Sequence, residues 1–476
     1  MTDTAARTAP AEIQAQAQTQ AQTQTRADAP QKSRGIQTPE VVGGTQPAPA
    51  PRLEALQAPQ DGCTAAARRD AMQRLVAAGL PKPRDEYWRY TDPKLLNADT
   101  PAPLAIGDEE PQMFGSLDRL RLVFVDGVFD PAASDAPDAD GVRIETLQAA
   151  DAQPGHWIAQ SYGALEAAGQ KPVVRPFAAL NTAVATNGLA IHVSARVARP
   201  VHIIHRRRDE AADVVLHHVI RLDAGAELTL IETGMAGARE NTVIEADLAP
   251  GARLHHIAAI RAAGTRIGAR HIFACVDEDA AFKSFTLSLN GTLMRHESVI
   301  DIAGDDSVAH VAGAVLGDGA QGPFHHDDTV FVTHGAERCE SRQVFKKVLK
   351  NGAVGVFQGK ILVKPGAQKT DGYQISQALL LDDDSQFLAK PELEIYADDV
   401  RCSHGSTTGA IDPVALYYLR SRGVPKDRAI VMLVLSFLAE ALAEVEDDDL
   451  RAEIGDRLEL WLNRHATADS HRAGSA

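Results

Sequence analysis

The residues best placed to do chemistry lie between Asp398 and Gly409, where Cys402 and His404 stand two apart in Val400-Arg-Cys-Ser-His-Gly. In an extended chain alternate side chains leave the same face, so the thiol and the imidazole would project together. Such a pair suits a soft metal such as iron, or a thiol activated by a neighbouring base. The same spacing also fits a buried cysteine beside a hydrogen-bonded histidine at a strand end. Residue types alone leave these readings open.

Other motifs carry less. Gly317-Asp-Gly319-Ala-Gln-Gly322 matches a dinucleotide fingerprint, but Pro323 and a polar run follow where a helix should begin, so it reads as a loop. Gly355-Val-Phe-Gln-Gly359-Lys360 resembles a phosphate loop. Val354 stands where the first glycine belongs, and Ile361 replaces the magnesium-holding hydroxyl residue, so the chain should not hydrolyse ATP by itself. In His325-His-Asp-Asp328 neighbouring side chains on a strand face opposite ways, so the two histidines cannot easily share one ion. It reads as a solvated turn, as do His217-His218 and His255-His256. Asp398 and Asp399 are the only tempting acid pair for a polysaccharide-cleaving site, and adjacency turns them apart.

The elements that position these residues fall into three textures. Residues 1–60 form a low-complexity tail rich in Gln, Ala, Thr and Pro, expected to be disordered because it has too little apolar surface to offset chain entropy. Residues 61–175 form a helical and mixed N-terminal domain. It contains a helix from Thr64 to Ala78, an aromatic cluster of Tyr87, Trp88 and Tyr90, and one strand at Leu120 to Val125. Residues 176–410 alternate short Val/Ile/Leu runs with similar turns. The turns begin at Gly225, Gly251, Asp279, Asp306, Gly335, Gly352, Gly366 and Asp384. The first five recur at intervals of 26, 28, 27 and 29 residues, long enough for one solenoid coil, and no amphipathic helix intervenes. A parallel β-helix is the preferred reading, with a β-sandwich as the alternative. From Asp412, an N-cap followed by Pro413, residues 411–466 read as a C-terminal helical domain, and 467–476 as a polar tail.

Composition excludes some functions. Forty-eight basic against 64 acidic side chains give a net charge of −16, which argues against nucleic acid as the main partner. Four scattered cysteines, none in a CxxC pair, give neither a self-contained zinc or cluster motif nor a disulfide scaffold. A soluble protein of the reducing cytoplasm is expected, with no membrane span, since the most apolar run, Ala429 to Leu438, is too short to cross a bilayer.

The run from Lys390 to Gly409, Lys-Pro-Glu-Leu-Glu-Ile-Tyr-Ala-Asp-Asp-Val-Arg-Cys-Ser-His-Gly-Ser-Thr-Thr-Gly, resembles the SufD signature of the SufB/SufD family of iron–sulfur cluster assembly proteins. Cys339-Glu-Ser-Arg-Gln343, Lys369-Thr-Asp-Gly-Tyr-Gln374, Tyr417-Tyr-Leu-Arg-Ser-Arg-Gly423 and Arg84-Asp-Glu-Tyr-Trp-Arg-Tyr-Thr91 match further family blocks. The likeness covers residues 64–465, strongest over 369–423 and slight over 97–175. It implies a right-handed parallel β-helix between two helical domains, in a non-catalytic scaffold subunit of a SufBCD complex. Further implications are pairing with SufB through the β-helices and docking of the SufC ATPase on the C-terminal helices. Sulfur would come from a cysteine desulfurase system, with reduced flavin (FADH2) associated at the level of the complex. His404 matches a histidine proposed to help hold the nascent cluster at the SufB interface, and Cys402 a neighbouring cysteine. A SufB chain would carry a further cysteine before this motif and a His-Glu pair near it. No second cysteine lies between Glu392 and Ala410, and Gly405 follows His404.

Overall fold

The computed structural model describes residues 51–106, 113–137, 139–261 and 266–473. Residues 1–50 of the expected tail lie outside these. Within the rest of that stretch the chain is already packed. Pro51–Glu54 form a helical turn, Arg52 is buried and donates to the Leu96 carbonyl, and Leu53 and Leu56 pack beside Trp88 and Phe177.

Two sheets of almost wholly parallel strands run the length of the molecule, one of ten strands and one of nine. From Asp213–Leu222 onward, successive strands alternate between the sheets, and each pairs in parallel with the strand two before it and, until the last two strands, with the strand two after it. This is the expected β-helix. The strands Leu120–Val125 and Val142–Thr146, which precede residue 176, join the same sheets at their first edge, whereas residues Pro176–Val184, expected to begin the β-helix, form a helix of the N-terminal layer.

The coil repeat is set by one backbone position. Gly225, Gly251, Asp279, Asp306, Arg338 and Lys369 have φ of 72, 72, 52, 58, 57 and 59°, and each stands two residues before a strand of the ten-stranded sheet. The backbone N–H of each donates to a carbonyl in the turn of the next coil, as from Gly251 to Glu278 (2.8 Å) and from Arg338 to Gln368 (2.9 Å). The residue that follows points inward and is small: Ala226, Ala252, Ala280, Ser307, Cys339 and Thr370 are all at most 1% exposed. Glycine, aspartate and glycine-alanine pairs therefore recur because the turn needs a left-handed residue and then a small one. In the later coils Arg338 and Lys369 hold this position, while Gly335, Gly352 and Gly366 sit elsewhere in the loops. The shorter intervals past Gly335 thus mix separate turns.

Alternation gives every strand an inner and an outer face. Inner faces build an apolar core that includes Leu230, Ile244, Ala274, Val311 and Phe345. The outer face of the nine-stranded sheet packs against the N-terminal helices through Leu293 and Ile267 with Leu75, Trp88 and Phe177. The outer face of the ten-stranded sheet is covered by the C-terminal helices: Ile257, Phe285, Leu287, Val344 and Val348 meet Val431, Val434 and Leu438 of Lys426–Leu442. Full burial of each such aliphatic side chain contributes about 1.5–3 kcal/mol. Among the described residues no helix is long and apolar enough to cross a membrane.

The turn ladder has a direct test. Gly251→Val, forcing a β-branched residue to φ of 72°, should cost ~2 kcal/mol or more. Gly251→Asn, which tolerates that conformation as Asp279 and Asp306 do, should cost under about 1 kcal/mol. Urea unfolding midpoints of the two variants give the comparison.

Candidate functional site

Cys402 and His404 lie on the strand Arg401–Gly409, the last of the ten-stranded sheet. Its one neighbour in that sheet is Asp371–Leu380, with Cys402 opposite Gly372 and His404 opposite Gln374. Cys402 packs against Ile361 and Val363 of the other sheet, and Gln374, opposite His404, lies over Gly359 of that sheet, so the even-numbered residues form the inward face. Both candidate side chains therefore leave the face that continues the coil interior. The stack ends here, so that face opens to solvent.

The two residues differ in environment. Cys402 is half-buried against Ile361, Val363, Leu393 and Val400, and its Sγ occupies the space a Cβ on Gly372 would need (3.2 Å). Burial pushes its thiol pKa up; Asp371 adds to this and the Gly372 backbone N–H opposes it. A protonated, packed thiol is not an activated nucleophile. His404 is exposed and makes no hydrogen bond among the described residues. Asp398 accepts from Gln368 Nε2 (2.9 Å), while the backbone N–H of Asp399 donates to Gln368 Oε1 (2.9 Å), so this pair ties down a turn rather than forming an acid–base couple.

Around the site the coil is unfinished. Gln386–Ile395 is the edge of the nine-stranded sheet and Arg401–Gly409 the edge of the other, so both sheets end at the same end of the solenoid. Ile395 and Tyr396 are 39% and 59% exposed there. On the C-terminal domain, the helix Pro413–Ser421 has no buried residue and presents Val414, Tyr417 and Tyr418 to solvent.

Other candidates resolve differently from their sequence reading. Gly319–Gln321 form a single 3-10 turn followed by a strand, so no helix N-terminus faces the glycine-rich loop. Gly355 and Gly359 lie within the strand Val354–Val363, where they clear room for other chains: a Cβ on Gly355 would lie 2.8 Å from Lys347 Cδ, and one on Gly359 would collide with Gln374. The histidine pairs are not solvated turns. They lie in the strands Asp213–Leu222, Arg253–Arg261 and His325–His334, where all but His325 are at most 9% exposed. Helical domains cover both outer faces, so the outward member of a pair is covered too. His217, for example, contacts Asn181 (3.0 Å) and Glu245 (2.8 Å) beneath the N-terminal helices.

The inward members belong to a polar interior that sequence reading missed. Glu232 is bound by Arg270 and by His256 (3.2 Å), Glu240 by Arg266 and Arg270, and Asp328 by Lys347 (2.5 Å). Further toward the open end Gln374 donates to Gln343 (2.7 Å). Burial would raise the Glu232 pKa, yet the Arg270 guanidinium and two histidines hold it well below the usual range; Lys347 does the same for Asp328. The signal was present as charged residues at alternating positions within apolar strands, as in Leu228, Leu230, Glu232.

Known proteins match along this architecture. The family description "SUF system FeS cluster assembly, SufBD core domain" fits residues 205–437, and "SufBD protein N-terminal region" fits residues 53–203. The iron–sulfur cluster assembly protein SufD of Escherichia coli is 30% identical over 81% of this chain and 91% of its own length. A SufBD family protein of Synechocystis is 26% identical over 79% and 86%. SufD of Bacillus subtilis is 30% identical over a shorter stretch, 33% of this chain.

The buried imidazoles give a pH signature. Burial lowers His202 and His218 to about 3, and His255, His271 and His334 to about 4. Unfolded, each titrates near 6.5. Below that value the unfolded chain binds more protons, so stability is complete above pH ~6.5 and falls as pH drops toward 4, by up to about 1.4 kcal/mol per pH unit for each histidine. Urea midpoints measured from pH 7.5 to 4.5 should decline steadily; a flat profile would contradict the burial.

Proposed function

Because this chain belongs to the SufB/SufD family of iron–sulfur cluster assembly proteins, on its SufD branch, we propose that it is the scaffold half of a shared assembly site, with His404 as its principal contribution. A cluster held through protein ligands normally takes about four of them. The last strand offers two, His404 free and Cys402 packed with its proton on. The remaining ligands come from a partner seated on the open end of the coil.

The observation that carries this reading is the coincidence of His404 with the exposed edges of both sheets. Unpaired strand edges recruit further strands, and two edges at one end fit a second β-helix docking end to end. SufB is the partner of that architecture. Iron and sulfide are substrate at this site, sulfur being delivered by a cysteine desulfurase system. ATP hydrolysis is assigned to the SufC partner, in keeping with Gly355 and Gly359 lying within a strand rather than in a phosphate-binding loop. The exposed face of Pro413–Ser421, with Val414, Tyr417 and Tyr418, is where the SufC ATPase would dock.

Two substitutions separate the roles. His404→Ala should lower iron and acid-labile sulfide in the complex co-expressed with SufB and SufC by at least fivefold while the complex still elutes intact; Cys402→Ser should have the smaller effect. Tyr417→Asp should instead remove SufC from the co-purified complex and leave the SufB pairing in place. Normal cluster content in the His404 variant would overturn the site, and retention of SufC by the Tyr417 variant would overturn the docking face.

A further inference from the structure

Adjacent histidines on one strand cannot share an ion, but histidines on adjacent coils can. The strand Leu293–Ile302 lies beside His325–His334 with His296 opposite Asp328, and both face the coil interior together with His326. The two imidazole rings are 4.8 Å apart at 83°. His326 Nδ1 lies 3.3 Å from Asp328 Oδ2, and His296 Nδ1 lies 3.8 Å from Asp328 Oδ1. One ligating atom from each of the three falls within 4.8 Å of the others.

Two further facts point to a ligand here. His296 Nε2 and His326 Nε2 are both buried with no hydrogen-bond partner among the described residues, as are ring nitrogens of His205, His218 and His334, but only this pair is grouped with a carboxylate at ligand spacing. Burial also holds both rings in the neutral form that ligates metals, while Asp328 stays ionised. The Lys347 ammonium contacts Asp328 Oδ2 (2.5 Å) and His326 Nδ1 (3.2 Å), so a cation already sits against this group. We propose that His296, His326 and Asp328 form a divalent-cation site inside the β-helix, of the two-histidine, one-carboxylate kind that suits Zn(II) or Fe(II), with the Lys347 side chain competing for it.

The geometry needs modest closure. Ligands of a tetrahedral zinc site stand about 3.4 Å apart, so side-chain rotation must close the widest separation, up to 4.8 Å, by up to about 1.4 Å. The Lys347 stem lies over Gly355, where a Cβ would crowd it. The His296 side chain keeps 11% exposure, the most of the three. This assignment is independent of the cluster site at the end of the coil.

The test uses untagged full-length chain carrying Cys402→Ser and His404→Ala, so that the open end contributes nothing. Co(II) is titrated after chelator treatment and followed by its visible absorption, then displaced with Zn(II). Lys347→Met added to this chain should bind one Co(II) at least tenfold more tightly, and Asp328→Asn added to that should weaken binding at least a hundredfold. X-ray absorption of the Zn(II)-loaded chain should show two imidazoles and no sulfur. No stoichiometric uptake by the Lys347→Met chain, uptake that Asp328→Asn leaves unaltered, or a shell without two imidazoles would overturn the site. Should a variant fail to fold, the X-ray absorption arm on the starting chain decides alone, weak multi-site binding counting against the proposal.

Discussion

Each coil of this molecule is held by the coil before it and the coil after it. The parallel ladders satisfy the backbone of one strand only if another strand lies on either side. The turn ladder, with a left-handed residue donating to the next coil, extends the same dependence to the corners. A structure built this way has no natural end. Its first edge is closed by the antiparallel strands Val128–Phe129 and Val142–Thr146. Its last edge is formed by Gln386–Ile395 and Arg401–Gly409, with nothing paired beyond them among the described residues. The proposed cluster site and the pairing with SufB follow from that asymmetry.

The interior shows a second constraint. Inward residues of a narrow solenoid must fill the space between two sheets, and here part of that filling is ionic. Arg266, Arg270 and Lys347 match Glu232, Glu240 and Asp328 in number, so the buried charge closes on itself. Such pairs are poor sources of stability compared with well-packed aliphatic side chains, because desolvation offsets their attraction. Removing one partner, by contrast, leaves a buried charge without compensation. The arrangement therefore ties the coils together specifically rather than tightly, and the aliphatic interior and the faces under the two helical domains supply the apolar burial.

Much of this was legible in sequence, for physical reasons that can be named. Glycine or aspartate followed by alanine marks a left-handed turn residue and a small inward one, and in the early coils only these types fit. Asp412 and Pro413 announced the helix Pro413–Ser421, where the Asp412 side chain accepts from the Val414 N–H at 2.8 Å. The strand at Leu120 to Val125 appears at those bounds. What stayed hidden depended on neighbours distant in sequence. Arg338 and Lys369 look like surface residues, yet they take the turn position because the ladder holds them there. The histidine pairs look solvated, because polarity alone gives no sign that helices from both ends of the chain cover both sheets. Cys339 sits in a block shared with the family, but in the structure it is the small inward residue of a turn, its Sγ donating to the Gly304 and Glu337 carbonyls.

The exposure of His404 is best understood as the last step of a series. Gln343, Gln374 and His404 occupy the same register on three successive strands of one sheet. The first two are fully buried, and Gln374 donates to Gln343. His404 differs from them in having no further coil above it. A further coil of the same chain would bury the imidazole and remove its access to iron or sulfide. A partner that pairs with the strand edges while leaving a gap over this register keeps the ring reachable and screens it from bulk water. The proposed site is thus a property of where the stack stops, with Cys402 packed two residues earlier on the same face of the strand from which the histidine projects.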